Sequence, residues 1–327
     1  MQDEKSWIYK APACAERDID AHLAAIRRDA VPLHEITLRH FPLPSIAADL
    51  AKLADELENG RGFALIRGLR LDDRSEEDIS RLYWGLGTHF GRMLSQNARG
   101  ELLGHIRAVA GLDFQKNPDV RGYHTNADLQ YHSDNCDIVT LLCLRPAKQG
   151  GISSIVSATA IYNEILKRHP EFLDLLYRGF YYNLRGEVPP HIAPVTDHPI
   201  PVFSYFDGKL SCRYVYKPIC TAAAKRGVPL TPVENAVLDF INETAKRDDL
   251  RVDMELQRGD MQLLNNHVVL HARTHFDDYD EFERKRHLLR LWIENPKGRK
   301  LAPEFANRYN QGPFLGIPPV PAAAEPS

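Results

Sequence analysis

The sequence predicts a mainly β domain with helical cover, a sandwich or barrel of short strands (α+β in class). Short runs of strand length, apolar or alternating and closed by Gly, Pro or Asn, recur between residues 62 and 294. Helical periodicity is concentrated before residue 90 and in one late segment. The chain has 327 residues, 43% of them hydrophobic and 26% charged, which is globular composition with ample length for a buried core.

Element by element, Ile46 to Leu57 has helical spacing and stops before Asn59-Gly60. Gly62-Phe63-Ala64-Leu65-Ile66-Arg67-Gly68 is an apolar run between glycines, a buried strand. Ser75 opens a helix with acidic residues in its first turn, running through Leu82 and Tyr83. Ile138 to Leu144 is a strand broken at Arg145-Pro146. Gly150-Gly151 marks a turn before a strand at Ser153 to Val156. Pro232 begins a helix through Val237, Phe240 and Ile241. Leu250, Val252, Met254 and Leu256 alternate as a strand does, and Arg258-Gly259-Asp260 is predicted to be a hairpin turn into Met261 to Leu264. Arg286 to Glu294 also alternates, with Leu289, Leu291 and Ile293 on one face and Arg286, Leu288, Arg290 and Trp292 on the other. From Leu315 onward the Pro- and Ala-rich residues predict an irregular tail.

The formal net charge of -3 gives no basic field for nucleic acid. Five cysteines without C-x-x-C spacing fit reduced thiols, hence a cytoplasmic protein. Met1 to Lys5 is charged with no apolar stretch behind it, so no signal peptide is expected, and no apolar run reaches membrane-spanning length. The expected partner is a small molecule, with a homo-oligomer left open.

His132 and Asp134 are two residues apart, so on an extended chain their side chains point the same way and can serve one ion. A third ligand must come from elsewhere, and His271, after the polar break Asn265-Asn266, is the candidate. Two histidines and one carboxylate form the facial triad of non-haem Fe(II), which leaves positions open for substrate and O₂. His267, His271 and His275 recur every four residues and could bind zinc on a helix, but Val268-Val269 favours a strand. That makes His267 and His275 supporting or surface residues. On the late strand, Arg286 and Arg290 share a face with Trp292, away from the packed leucines. Buried guanidinium groups need anions, and arginine grips carboxylates bidentately.

The ordered set Tyr131-His132-Ser133-Asp134, Gly150-Gly151-Ile152-Ser153, Leu270-His271-Ala272-Arg273 and Arg286-His287-Leu288-Leu289-Arg290 resembles the taurine dioxygenase / 2,4-D dioxygenase (TauD/TfdA) family. The resemblance runs from about Gly62 to Glu294. It implies a double-stranded β-helix (jelly-roll) core and an Fe(II)/2-oxoglutarate-dependent dioxygenase. Such an enzyme consumes O₂ and turns 2-oxoglutarate into succinate and CO₂ as it hydroxylates an unactivated C–H bond. Position by position, it implies His132, Asp134 and His271 as iron ligands. Arg286 would pair with the distal carboxylate of 2-oxoglutarate, and Ser153 would offer that co-substrate a hydroxyl. Arg290 would hold an anionic or zwitterionic substrate, and His124 and Asn126 would edge its pocket. On this reading residues 1–60 are helical or irregular cover, 61–300 the catalytic jelly roll, and 301–327 an extension with an irregular tail. Two other readings use the same residues: a zinc hydrolase on the same ligands, and a jelly-roll binding protein without catalysis.

Overall fold

The computed structural model describes residues 6–109, 121–189, 191–307 and 315–320. In chain order the strands are β1 (Ile8–Lys10), β2 (Phe63–Arg67), β3 (Arg92–Met93), β4 (Leu103–Ile106), β5 (Leu129–His132), β6 (Ile138–Arg145), β7 (Gln149–Gly150), β8 (Ser153–Ser157), β9 (Phe203–Phe206), β10 (Lys209–Cys212), β11 (Arg251–Met254), β12 (Met261–Asn265), β13 (Val269–Arg273), β14 (Phe276–Asp277) and β15 (His287–Glu294). The helices are α1 (Ala13–Arg28), α2 (Ala47–Asn59), α3 (Glu76–Gly87), α4 (Ala158–Arg168), α5 (Phe172–Arg178), α6 (Tyr216–Arg226), α7 (Pro232–Ala245) and α8 (Pro303–Ala306).

Two sheets form the jelly-roll core. The major sheet has seven strands in the order β1-β2-β12-β6-β15-β3, with β4 also on β15; the minor sheet runs β11-β8-β13-β5. Side-chain alternation decides what each face meets. Leu289, Leu291 and Ile293 of β15 pack outward into a cluster with Ile19 and Leu23 of α1 and Leu82 of α3. Leu288 and Trp292 point inward and join Val139, Ile155 and Val269 between the sheets. A third cluster packs α4 and α7 onto the outer face of the minor sheet through Ile161, Val237, Val156 and Leu270. The arginine face of β15 therefore looks into the space between the sheets, as its alternation predicts.

Three expectations are corrected. Arg258-Gly259-Asp260 is a turn, with Gly259 at φ +85°, but not a hairpin. β11 pairs with β8 in the minor sheet, whereas β12 pairs with β2 and β6 in the major one. The turn carries the chain from one sheet to the other, and a Cβ at Gly259 would lie 2.2 Å from the Leu69 carbonyl oxygen. Second, helices are more numerous than the sequence reading allows. α1 buries Ala15, Ile19, Leu23 and Ile26 along one face, and α4, α5 and α6 occupy the middle of the chain. Third, the N-terminal stretch is more than cover, because β1 extends the major sheet parallel to β2 with Ile8 opposite Leu65. The helix at Pro232 is present, and a capping box between Thr231 and Glu234 starts it. Residues 315–320 carry no helix or strand, yet Ile317 is fully buried and the Gly316 N–H donates to the Asn135 carbonyl at 2.7 Å. The rest of the expected tail, and Met1 to Lys5, lie outside the described residues.

Candidate metal centre

His132 ends β5 and His271 lies directly opposite it on β13, so cross-strand register brings the two imidazoles to one face of the minor sheet. Their ring centroids are 4.3 Å apart. Just past the strand end, Ser133 turns away and exchanges hydrogen bonds with the Tyr214 backbone at 2.9 and 3.1 Å. That turn sends the Asp134 carboxylate back toward the histidines. His132 Nε2 lies 4.0 Å from Asp134 Oδ1, and His271 Nε2 lies 3.9 Å from Oδ2. One donor atom from each of the three lies within 4.8 Å of the other two, and this is the cluster of metal-ligating side chains found among the described residues.

Protonation states suit a cation. Burial pushes the His271 imidazole down to about 3, and the neighbouring His132 adds to the effect. Burial also lowers His132, although Asp134 opposes it. Both rings are therefore neutral at pH 7, with lone pairs available. Burial alone would raise the Asp134 carboxyl, but Arg290 and the two histidines hold it well below the usual carboxylate range. His132 Nδ1 bonds the Gln130 carbonyl at 2.8 Å, which places the ring's N–H there and leaves the Nε2 lone pair available to a metal ion. Among the described residues the buried Nδ1 of His271 has no hydrogen-bond partner. Two neutral imidazoles and one carboxylate on one face fit Fe(II).

A ring of partners fixes the carboxylate. Trp292 Nε1 donates to Asp134 Oδ2 at 2.9 Å, and Arg290 Nη1 reaches the same oxygen at 3.3 Å. The Asp134 N–H donates to Asn266 Oδ1 at 3.0 Å. Arg290 is held in turn by Gln96 Oε1 at 2.7 Å and lies 4.5 Å from the Tyr123 ring centroid. Its Nη2 meets no acceptor among the described residues. Gln96, Asn266 and the Trp292 contact are functional features that sequence reading missed. Only Trp292 gave a signal, by falling on the arginine face.

The triad opens into a cavity of about 740 Å³ between the sheets, lined also by Ser153, Arg273, Arg286 and Arg290. Arg286 is 5% exposed, and its Nη1 has no acceptor among the described residues. Burial lowers its guanidinium to about 10, so it stays charged at pH 7. Ser153 Oγ is within 3.1 Å of the Gln262 amide. Seven Arg and Lys side chains line the cavity against three carboxylates, so its field is positive. His124 and Asn126 stand off the cavity wall, where their neighbours Tyr123 and Ala127 take the lining positions. The Asn126 amide instead donates to the Phe276 carbonyl at 3.2 Å. His267 is buried behind the site against Asp137 at 2.8 Å, and His275 is half-exposed beside Asp277.

Residues 29–292 match the family described as "Taurine catabolism dioxygenase TauD, TfdA family". The chain is 34% identical over 303 residues to FR-33289 synthase of Streptomyces rubellomurinus (strain ATCC 31215), covering 92% of this chain and 88% of that protein. It is 29% identical over 188 residues to the uridine-5'-phosphate dioxygenase of a Streptomyces species, covering 54% of this chain and 65% of that one. Among solved structures, asparagine oxygenase in complex with Fe(II), 2S,3S-3-hydroxyasparagine and succinate has a TM-score of 0.69 at 16% identity, over 88% of this chain and 94% of that one. Non-haem iron oxygenase OrfP in complex with Fe and alpha-ketoglutaric acid has a TM-score of 0.62 at 15% identity, with the same coverage. These structural likenesses are likenesses of fold.

Proposed function

This chain belongs to the TauD/TfdA family and is an Fe(II)- and 2-oxoglutarate-dependent oxygenase that uses O₂; from that premise we propose that it hydroxylates an unactivated C–H bond of a small anionic or zwitterionic molecule. One atom of O₂ enters the alcohol and the other enters succinate, as 2-oxoglutarate loses CO₂. The observation that carries this reading is the convergence of His132, Asp134 and His271 beside a buried guanidinium, Arg286, whose Nη1 no acceptor among the described residues answers.

His132, Asp134 and His271 hold the iron, and Arg286 takes the distal carboxylate of 2-oxoglutarate. Ser153 offers the same co-substrate a hydroxyl. Bound Fe(II) and 2-oxoglutarate supply the O₂ activation. Trp292 and Arg290 keep the Asp134 carboxylate in one orientation, and the apolar inter-sheet residues exclude bulk water. Arg290 keeps one nitrogen, Nη2, for an anionic group of the substrate. The cation surplus of the cavity supports the charge of that substrate. Names among the relatives point the same way, since uridine-5'-phosphate is anionic and asparagine zwitterionic. A zinc hydrolase would leave the buried Arg286 unexplained. A cytoplasmic location accords with five free cysteines, and no helix among the described residues is long and apolar enough to cross a membrane.

The test is succinate formation from 2-oxoglutarate with Fe(II) and O₂, screened over amino acids, sulfonates, carboxylates and nucleotides. Asp134→Ala is expected to abolish turnover, and full activity in that variant refutes the triad. Arg286→Ala removes one partner of a buried charged pair, a loss of about 3–5 kcal/mol. That corresponds to an increase of roughly a hundredfold or more in the KM for 2-oxoglutarate. An unchanged KM refutes the role of Arg286.

A further inference from the structure

We propose that Arg273 is a second arm of the co-substrate site, so that the distal carboxylate of 2-oxoglutarate is gripped by two guanidinium groups, Arg286 and Arg273. The proposal rests on the reading that Arg286 binds that carboxylate, and it adds a residue to which no role is otherwise attached.

Strand geometry aims Arg273 at the right place. It lies two residues beyond His271 on β13, so both side chains leave the same face of the strand, roughly 7 Å apart along it. A chelating diacid that binds the metal beside His271 extends about that far. Arg273 is also directly opposite Ser153 in the β13–β8 register, and residues paired this way share a face. The metal ligand, the hydroxyl and this arginine therefore form one continuous wall of the cavity, and all three line it.

The hydrogen-bonding inventory leaves Arg273 half used. Its Nη2 donates to the carbonyls of Thr125, at 3.0 Å, and Ala127. Nε and Nη1 are buried and meet no acceptor among the described residues. Arg286 Nη1 is in the same condition. Both guanidinium groups stack on one ring, with Cζ at 4.7 Å from the Phe276 centroid for Arg273 and 5.0 Å for Arg286. Neither has a salt bridge to a carboxylate among the described residues. The Asp278 side chain accepts from the backbone N–H of Arg286 at 2.6 Å, and Asp128 accepts from that of His275 at 2.6 Å. Asp128 and Asp278 favour the charged forms from a distance, but with no direct ion pair among the described residues the two neighbouring buried cations repel each other and lose hydration, an arrangement that a dianionic ligand relieves. A planar carboxylate between two guanidinium forks fills the open donor positions.

The competing role for Arg273 is structural, as a brace for the Thr125–Ala127 backbone. Calorimetric binding to the Fe(II)-loaded full chain under anaerobic conditions separates the two. The probes are 2-oxoglutarate and 2-oxopentanoate, which keeps the chelating 2-oxoacid and lacks the distal carboxylate. Arg273→Gln is expected to weaken 2-oxoglutarate by about ten- to a hundredfold, the range for hydrogen bonds to charged groups, and 2-oxopentanoate by less than about twofold. Arg273→Lys keeps the charge, recovers part of the 2-oxoglutarate affinity, and gives the same discrimination if the glutamine variant does not fold. Equal weakening of both ligands, or of neither, overturns the second arm; if Arg286→Gln still discriminates between them, the reading of Arg286 survives. If Arg286→Gln also fails to discriminate, the co-substrate assignment itself falls, and the clamp with it.

Discussion

Asp134 is positioned by residues far from it in sequence, and this sets what a metal-site substitution will read. Its Oδ2 accepts from Trp292 and Arg290, which lie 158 and 156 residues downstream. Such partners orient a ligating carboxylate, and losing one typically costs ten- to a hundredfold in metal affinity. Trp292→Phe keeps the buried ring and removes only the N–H, so Fe(II) affinity measured anaerobically by titration is expected to fall about tenfold with little change in the far-ultraviolet spectrum. Undiminished affinity would show that Arg290 alone holds the carboxylate. Residue-scale legibility follows from the same distances. The H-x-D spacing and the two-residue period of β15 put His132, Asp134, Arg286, Arg290 and Trp292 on cavity-facing positions, because same-face geometry is local. Gln96 and Asn266 were not legible, since each acts through one long-range hydrogen bond that leaves no pattern in its own neighbourhood.

At the scale of elements, the turns are where the chain's local chemistry speaks most clearly and misleads most easily. Gly259 announces a turn, but nothing within a turn states whether the next strand pairs with the last. Here that pairing is decided by the inter-sheet packing of β11 and β12. The helices α1 and α6 escaped for different reasons. α1 displays its apolar spacing at Ala15, Ile19, Leu23 and Ile26 and was readable, whereas α6 carries Pro218 in its first turn, which reads as a breaker unless the helix start is already known. The Gly150-Gly151 pair was expected to be a turn; instead Gly150 ends the short strand β7, and the pair breaks the chain between β7 and β8 with both glycines at positive φ, the second of them beside Arg286. Gly151 has φ +69°, and a Cβ there would lie 3.0 Å from Arg286 Nε. Gly151→Ala is therefore expected to lower stability by roughly 1–2 kcal/mol from backbone strain. It should also raise the KM for 2-oxoglutarate by displacing the guanidinium. Urea unfolding and steady-state kinetics on the same preparation check both effects, and an unchanged KM would mean that Arg286 tolerates the added methyl.

For the whole molecule, the strand that bears Arg290 and follows directly on Arg286 also ties the major sheet together through a titratable group. His287 on β15 bonds His105 of β4 at 2.9 Å and Arg145 of β6 at 3.2 Å. Because the arginine can only donate, His287 Nδ1 accepts, and its Nε2–H points at His105. A proton on Nδ1 would break the Arg145 bond and set two cations against each other. Burial pushes His287 down to about 3, and His105, Arg145 and Arg107 add to the effect. The folded value lies below the unfolded one of about 6.5, so between those limits the unfolded chain binds a proton that the native protein refuses. Stability must then fall as pH drops from about 6.5 toward 3. His271 contributes with the same sign in metal-free protein, because its imidazole is also pushed down to about 3. His287→Gln keeps hydrogen-bonding capacity without a titrating ring, and is expected to give a flatter decline in the urea midpoint between pH 7 and pH 5 than the parent protein, both measured metal-free. Parallel slopes would place the acid sensitivity elsewhere. A flatter slope would tie the acid limit of the enzyme to the strand that follows Arg286, the arginine proposed to bind its co-substrate, one residue before His287.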